Sequence, residues 1–313
     1  MYAETIVWGR GRAVAALVAS LIDAGVRIRE VWYQDALATV PPAVGEQMQR
    51  APEPIPLIGG VNSSAKALER LERLPEIGIV CEAFYTKVIR RQILDRVKVI
   101  NIHPAPLPRY RGAHPLPWQI LRGEIQSAVT FHLADTDLDA GPILDQAPFR
   151  IEPSDNYGSV LEKVLAAIRA SAGRVFCEFS SGHLVPVPQN HGEATYVAKR
   201  APHDGWIEWT LASRYIRNFV RALTEPLPGA WSCWNGRKVI FDEVDTNDSF
   251  ARYVGRTPGQ VATLAGGLGI LTGDSAVVPG RVRDAETGLD ITREIRANDR
   301  FSSPVIVFAD LPR

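Results

Sequence analysis

Residues 101–144 read NIHPAPLPRYRGAHPLPWQILRGEIQSAVTFHLADTDLDAGPIL and determine both the predicted fold and the predicted site. The stretch starts at the end of the apolar run 97–102, which has the composition of a buried parallel strand. Proline then recurs, and because its ring fixes φ and prevents a helix, we expect a rigid irregular loop. Ligands of open α/β sheets bind at the carboxyl ends of the strands, so this loop predicts a functional site. The prolines are Pro104, Pro106, Pro108 and Pro115.

Three polar side chains in this stretch have the chemistry needed for acyl transfer to an amine. Asn101 and His103 are two residues apart, so an extended strand points both to the same side. The third is one of the carboxylates Asp135, Asp137 and Asp139, in a second loop that reads ADTDLDAG after the alternating strand 128–133. An asparagine amide can donate to a developing oxyanion, a histidine can move the proton of the attacking amine, and a carboxylate can orient the ring. On residue types alone, a purely structural histidine stays an open alternative.

Strand-like and helix-like segments alternate around this stretch, which predicts a parallel sheet covered by helices. Apolar runs indicate strands, and apolar residues at spacings of three and four indicate helices. The predicted strands are 4–8, 28–33, 77–81 and 97–102, and the predicted helices are 14–22, 68–74, 88–94 and a long one over 161–179.

The pattern changes near residue 200. Residues 186–202 are rich in proline, glycine and polar residues and are interpreted as a linker. One helix over 211–223 then precedes short strands, and Asn235–Gly236 is typical of a type I′ hairpin turn. We therefore predict an α/β fold with a Rossmann-like domain over residues 1–200 and a small β-barrel, OB-like, over residues 201–313.

Composition excludes several classes of protein. The 35 basic and 35 acidic side chains cancel, whereas proteins that hold nucleic acid nonspecifically carry an excess of lysine and arginine. Three cysteines far apart in sequence indicate neither a disulfide framework nor a zinc site. The sequence has no apolar run of about 20 residues and no charged-then-apolar leader. We expect a cytoplasmic protein without a membrane partner.

Two motifs in the sequence are incomplete. Asp135, Asp137 and Asp139 alternate as calcium ligands do, but the required glycine and terminal glutamate are missing, so no metal is expected. Residues 8–12 (WGRGR) follow the first strand like a dinucleotide loop but lack its third glycine. We interpret the glycines as a tight turn that places Arg10 and Arg12 near an anionic acceptor.

The segments NIHPAPLPRYRG and LDAG together resemble the catalytic signature of the folate-dependent formyltransferases, and the resemblance extends over most of the chain. It implies that Asn101, His103 and Asp139 are catalytic and that 10-formyltetrahydrofolate is the formyl donor. It also implies that the pterin lies between the loop 134–139 and the segment 87–89, within AFYTKVI, which resembles the pterin-edge stretch of the family. The implied cofactor-binding residues are Lys87, Val88, Ile89, Ala134, Asp135, Thr136, Asp137 and Leu138.

The chain departs from this family where the acceptor amine would bind. The usual Ser-Leu-Leu-Pro becomes Ala105-Pro106-Leu107-Pro108, His114 replaces a small residue, and Asp137 stands where glycine is common. The basic insertion of the methionyl-tRNA formyltransferases is missing, since residues 34–54 contain one arginine and no lysine. Arg109 and Arg111 either bind a phosphate or carboxylate of the acceptor or anchor their loop. The candidate acceptor residues are Arg10, Arg12, Arg109, Arg111 and His114.

We therefore expect an N-formyltransferase whose acceptor is a small-molecule amine, either an amino-sugar nucleotide or an amine of a specialised metabolite. Methionyl-tRNA is a less favoured acceptor. A 10-formyltetrahydrofolate hydrolase, with water as acceptor, and a non-enzymatic folate-binding module are further alternatives. The sequence contains no coiled-coil heptads and no apolar stripe that would indicate an interface. A homodimer is a further prediction for the assembly.

Overall fold

The first part of the chain builds a seven-stranded sheet. The structure, a computed structural model, describes residues 4–247, 249, 253–264 and 267–302. The elements up to residue 199 are β1 (Thr5–Gly9), α1 (Gly11–Asp23), β2 (Ile28–Tyr33), α2 (Pro42–Met48), β3 (Leu57–Ile58), α3 (Ser64–Glu72), β4 (Ile79–Ala83), α4 (Arg91–Leu94), β5 (Lys98–His103), β6 (Arg111–Gly112), α5 (Pro115–Leu121), β7 (Gln126–Leu133), β8 (Ile143–Arg150), α6 (Tyr157–Ser180) and β9 (Tyr196–Val197).

The strand order of this sheet is β3-β2-β1-β4-β5-β7-β8. The first five strands are parallel, whereas β7 runs antiparallel to β5 and β8 runs antiparallel to β7. Helices and a mainly parallel sheet confirm the predicted α/β, Rossmann-like fold. Strand β5 lies between β4 and β7, so its carboxyl end, which holds Asn101 and His103, is flanked by a strand on each side.

Two helices of this unit touch at a glycine. The Gly173 N–H of α6 donates to the Ser20 hydroxyl of α1 over 2.9 Å, and a Cβ at Gly173 would lie 2.4 Å from the Ser20 carbonyl oxygen. A contact that close cannot be accommodated by rotating a side chain, because the atom it meets is backbone. The packing of α1 against α6 therefore depends on the missing side chain at Gly173.

We expect Gly173→Ala to lower the free energy of unfolding by about 1–3 kcal/mol, because the added methyl forces the two helices apart. Urea unfolding followed by circular dichroism measures the change. The matched control is Gly45→Ala in α2, where nothing lies within 4 Å of the new Cβ. That variant should be unchanged or more stable by up to about 1 kcal/mol, since alanine favours a helix over glycine. Equal stability of the two variants would contradict the packing argument.

The structure differs from the sequence prediction in three segments. The helix expected over 88–94 is only α4, because the Ser64 hydroxyl bonds the Val88 carbonyl and the Arg90 N–H and holds that segment extended. The proline-rich loop ends at His114, and α5 begins at Pro115, whose fixed φ suits a first helical turn. The segment interpreted as a linker contains β9, which pairs with β6.

The second part of the chain is β-rich. Its elements are α7 (Ser213–Ala222), β10 (Ala230–Trp234), β11 (Arg237–Thr246), β12 (Val261–Leu264), β13 (Gly267–Leu271), β14 (Ala276–Asp284) and β15 (Phe301–Ser302). The strands form one antiparallel sheet of order β12-β13-β14-β11-β10-β15.

The two edges of this sheet are joined, as a barrel requires. The Val261 N–H donates to the Asp299 carbonyl over 2.8 Å, and the Phe301 N–H donates to the Gly259 carbonyl over 2.8 Å. Asn235 and Gly236 have φ of 49° and 74° between β10 and β11, which confirms the predicted type I′ turn. The small antiparallel barrel is thus confirmed.

The chain clusters into two compact units. One comprises residues up to 115, 125–151 and 160–199, and the other comprises residues 116–124, 152–159 and those from 200 onward. The predicted division into domains at residue 200 stays a prediction. No helix among the described residues is both long and apolar enough to cross a membrane.

Candidate active site

Strand β5 presents Asn101 and His103 at the carboxyl edge of the seven-stranded sheet. Asn101 is half-buried and His103 is only 5% exposed. In the strand register, Asn101 pairs with Glu82 of β4 on one side and with His132 of β7 on the other. Paired residues of neighbouring strands point to the same face of a sheet. Asn101, His103, Glu82 and His132 therefore share one face.

The ring of His103 is held between a carbonyl and a carboxylate. Its Nε2–H donates to the Tyr110 carbonyl over 2.8 Å, a bond that assigns this proton because a carbonyl only accepts. Its Nδ1 lies 3.6 Å from Asp139 Oδ2, which is an ion-pair distance and longer than a hydrogen bond. Nδ1 is therefore the nitrogen left for proton exchange, and Asp139 stands beside it.

Asp139 is held by the loop that follows His103. Its Oδ2 accepts the Gly112 N–H over 2.7 Å, and its side chain is 8% exposed. Gly112 has φ of 104°, and a Cβ there would lie 2.5 Å from the Val197 carbonyl oxygen. Glycine is thus required at the position that donates to the carboxylate. The structure brings the three residues predicted as catalytic together, and their catalytic roles stay predictions.

His132 is a buried neighbour of Asp139 that the sequence interpretation placed on a polar face. That interpretation is wrong, because β7 lies between β5 and β8 and His132 is 1% exposed. Burial lowers the pKa of His132 to about 4, although the Asp139 charge opposes this. Its Nδ1–H donates to the Leu133 carbonyl over 3.0 Å, and its Nε2 lies 3.8 Å from Asp139 Oδ1. His132 is therefore neutral at physiological pH.

Glu82 is a second buried group that sequence reasoning missed. It is 1% exposed on β4, and burial raises its pKa to about 8. The Tyr85 N–H, which donates to Oε1, lowers this pKa, and the Asp139 charge raises it further. The signal in the sequence is a single acidic residue inside the apolar strand IVCEA. Glu82 is therefore a neutral acid near neutral pH, beside Asn101.

A cavity of about 350 Å³ lies in the same unit, close to the second loop. Three predicted cofactor residues line it, Ala134, Asp135 and Thr136. Ile89 belongs to the buried cluster against which Ala134 packs. Ile89 and Ala134 thus contribute to one hydrophobic cluster, and cofactor binding by either segment stays a prediction. The remaining predicted cofactor residues, all exposed, are Lys87, Val88, Asp137 and Leu138.

The predicted acceptor residues have protein partners. Arg10 lies 3.4 Å from Asp35, and Arg12 forms two hydrogen bonds with Glu162. Arg109 lies 5.9 Å from the centroid of the Tyr110 ring, and His114 is exposed with φ of 60°.

Arg111 is 2% exposed and donates to Gln189 and Tyr196. These contacts favour the loop-anchoring alternative for Arg111, and acceptor binding by the other four residues stays a prediction.

Among the described residues, no group of three or more His, Cys, Asp or Glu side chains is placed to hold a metal ion.

Two family models match the chain in succession. Residues 60–171 match the model described as formyl transferase, and residues 199–296 match the one described as formyl transferase, C-terminal domain. A methionyl-tRNA formyltransferase of Roseiflexus castenholzii is 32% identical over 215 residues, which is 67% of this chain and 66% of that protein. The chain belongs to the formyl transferase family.

Solved structures share the fold of this formyl transferase. HypX from Aquifex aeolicus in complex with tetrahydrofolic acid has a TM-score of 0.64 and 18% identity over 91% of this chain and 44% of its own. The N-formyltransferase from Helicobacter canadensis, in complex with folinic acid and dTDP-3-aminofucose, has a TM-score of 0.62 and 17% identity over 88% of this chain and 98% of its own. The chain spans about half to two thirds of the length of the curated relatives it matches.

Proposed function

We propose that this formyl transferase moves a formyl group from 10-formyltetrahydrofolate to an amine on a small soluble molecule. The observation that carries the proposal is the His103 ring, fixed by the Tyr110 carbonyl and facing Asp139, on the same strand as Asn101. Membership of the family supports formyl transfer as the reaction.

The residues present fit a folate. The cavity beside Ala134, Asp135 and Thr136 has a volume within the roughly 300–1,000 Å³ of small-molecule sites. It is also lined by the half-buried Leu94 and by the charged residues Arg91, Asp95 and Lys98. We infer that these residues hold the pterin, and the folate supplies the formyl group on its N10 nitrogen.

The amine nitrogen attacks the formyl carbon, and the carbonyl oxygen becomes an oxyanion. The Asn101 amide N–H donates to that oxygen, which lowers the barrier where charge develops. His103 Nδ1 takes the proton that the amine loses. The resulting imidazolium has an acceptor facing each proton, the Tyr110 carbonyl at Nε2 and the Asp139 carboxylate at Nδ1. When the bond between the formyl carbon and N10 breaks, this proton passes to N10, and the products are the formamide and tetrahydrofolate.

The acceptor is proposed to be small because the chain offers little positive charge for a nucleic acid. The net charge is zero, and the single arginine of residues 34–54, Arg50, bonds Asp23 and Gln47. Phosphate neutralisation dominates nucleic-acid affinity, so a large tRNA footprint requires more cations than this. An amino-sugar nucleotide or an amine of a specialised metabolite fits these properties.

Transfer to methionyl-tRNA is the second candidate. The observation that favours it is the 32% identity to a methionyl-tRNA formyltransferase, compared with 17–18% identity to the folate-bound structures.

The test measures tetrahydrofolate release from 10-formyltetrahydrofolate, alone and with amino-sugar nucleotides, amino acids and charged initiator tRNA. We expect release to be stimulated by one class of small amine, with the formamide detected by mass spectrometry. Stimulation by tRNA alone would contradict the proposal that the acceptor is a small molecule, but it would agree with formyl transfer as the reaction. Release without any acceptor would identify a hydrolase, and folate binding without release would identify a binding module.

A further inference from the structure

Gln189 lies in the segment interpreted as a linker, yet its side chain is 6% exposed and fully hydrogen-bonded. Its Oε1 accepts from Arg111 Nη2 over 2.7 Å and from Arg111 Nε over 3.2 Å. Its Nε2 donates to the Asp139 carbonyl over 2.9 Å and to the Gly141 carbonyl over 2.7 Å. A guanidinium only donates and a carbonyl only accepts, so the amide has one possible orientation.

The two carbonyls belong to a backbone that has little freedom. Asp139 has φ of 51°, a left-handed conformation that is uncommon for a residue with a Cβ. A Cβ at Gly141 would lie 1.9 Å from the Leu133 carbonyl oxygen, so the loop passes close to the end of β7. Such a conformation persists where its surroundings hold it. Gln189 bonds the carbonyl of Asp139 itself, and Gly112 bonds its carboxylate.

Arg111 anchors the other end of the Gln189 amide. Its Nη1 donates to the Tyr196 hydroxyl over 3.0 Å, and its Nη2 lies 3.3 Å from His191 Nδ1. Among the described residues, the Arg111 guanidinium forms no ion pair with a carboxylate, so its buried charge is satisfied by neutral acceptors. The Gln189 oxygen receives two of those bonds and is fixed by them.

We propose that Gln189 is a positioning residue for formyl transfer, which fixes the backbone of Asp139 and so aims its carboxylate at His103. The inference rests on the proposed function. The contact of Gln189 with the Asp139 backbone then affects the rate. A displacement of about 1 Å at a catalytic group can lower a rate by about 100-fold.

The test variant is Gln189→Glu, which keeps the shape of the side chain and its acceptor for Arg111. It removes the two N–H donors, places a carboxylate oxygen against the Asp139 and Gly141 carbonyls, and adds a negative charge beside the Arg111 guanidinium. We expect kcat to fall by about 10–100-fold, while the Kd for folinic acid, measured by calorimetry, stays within about 3-fold. Gln126→Glu, on the exposed start of β7, is the matched control and should change neither value.

A double-mutant cycle separates positioning from general structural support. If Gln189 acts through Asp139, Gln189→Glu should change kcat by less than about 3-fold in an Asp139→Asn background. Equal losses in both backgrounds would overturn the proposal. Should Gln189→Glu fail to fold, Gln189→Met, which is uncharged and of similar size, replaces it in the cycle. If the wild type turns over and Gln189→Glu lowers kcat equally in both backgrounds, only the role of Gln189 is contradicted. If the wild type shows no turnover, the proposed function is contradicted as well.

Discussion

Replacing His103 by alanine is expected to lower kcat for formyl transfer by about 10²–10⁴-fold, the usual contribution of a general acid–base group. The physical reason is the geometry of the ring, since the Tyr110 carbonyl engages Nε2 and leaves Nδ1 beside Asp139 for the proton of the amine. Without the ring, the attacking amine loses its proton only to solvent. Single-turnover release of tetrahydrofolate from 10-formyltetrahydrofolate, with saturating acceptor, measures the change.

The matched control is His183→Ala. His183 is exposed in the same unit and contacts Ser181, so its removal should leave kcat within about 2-fold. Folinic acid binding separates chemistry from folding, because His103→Ala should bind it with a Kd close to that of the wild type. Undiminished turnover in His103→Ala would remove His103 from the mechanism and leave the reaction to other groups of the cluster.

Much of this site follows from sequence because its residues belong to a regular element. Asn101 and His103 share a face since they are two apart on a strand, and the apolar run before them indicates that strand. Asp139 comes to them by a different route, since its approach depends on the turn between β7 and β8. The resemblance to a family, and not periodicity, indicated that residue.

Other site residues could not be found from local pattern. The alternation of residues along β7 predicted a polar face for His132. Strand β7 lies between β5 and β8 and is buried on both faces, so it has no solvent-exposed polar face. The sequence shows Glu82 only as an acidic residue within a strand. The pairing of Glu82 with Asn101 becomes visible only from the strand register. Gln189 lies about 50 residues beyond Asp139, in a segment whose composition is typical of linkers, and only the fold brings them together.

The second large effect concerns Glu82 and the dependence of stability on pH. Its carboxyl has a pKa of about 8 in the folded chain against an ordinary value of 4.5, chiefly because burial disfavours the charge. Between these two values the folded state holds a proton that the unfolded state has lost. The contribution of Glu82 to stability is therefore fully present below pH 4.5 and is lost as pH rises toward 8. The two values differ by an amount that corresponds to about 5 kcal/mol.

Glu82→Gln should remove this dependence, because an amide stays neutral and its oxygen can still accept the Tyr85 N–H. We expect the variant to exceed the wild type in unfolding free energy by several kcal/mol at pH 9 and to match it within about 1 kcal/mol near pH 4.5. Urea unfolding at pH 5, 7 and 9 gives the difference. Glu72→Gln, at an exposed position of α3, serves as control and should follow the wild type at every pH.

A difference between Glu82→Gln and the wild type that does not change with pH would mean that Glu82 is ionised in the folded chain. The distinction matters for the chemistry, because Asp139 lies close enough to Glu82 to raise its pKa. With Glu82 protonated and His132 neutral, Asp139 carries the negative charge of this cluster. In the proposed mechanism, the Asp139 carboxylate, 3.6 Å from His103 Nδ1, is then the anion that stabilises the imidazolium during transfer of the proton.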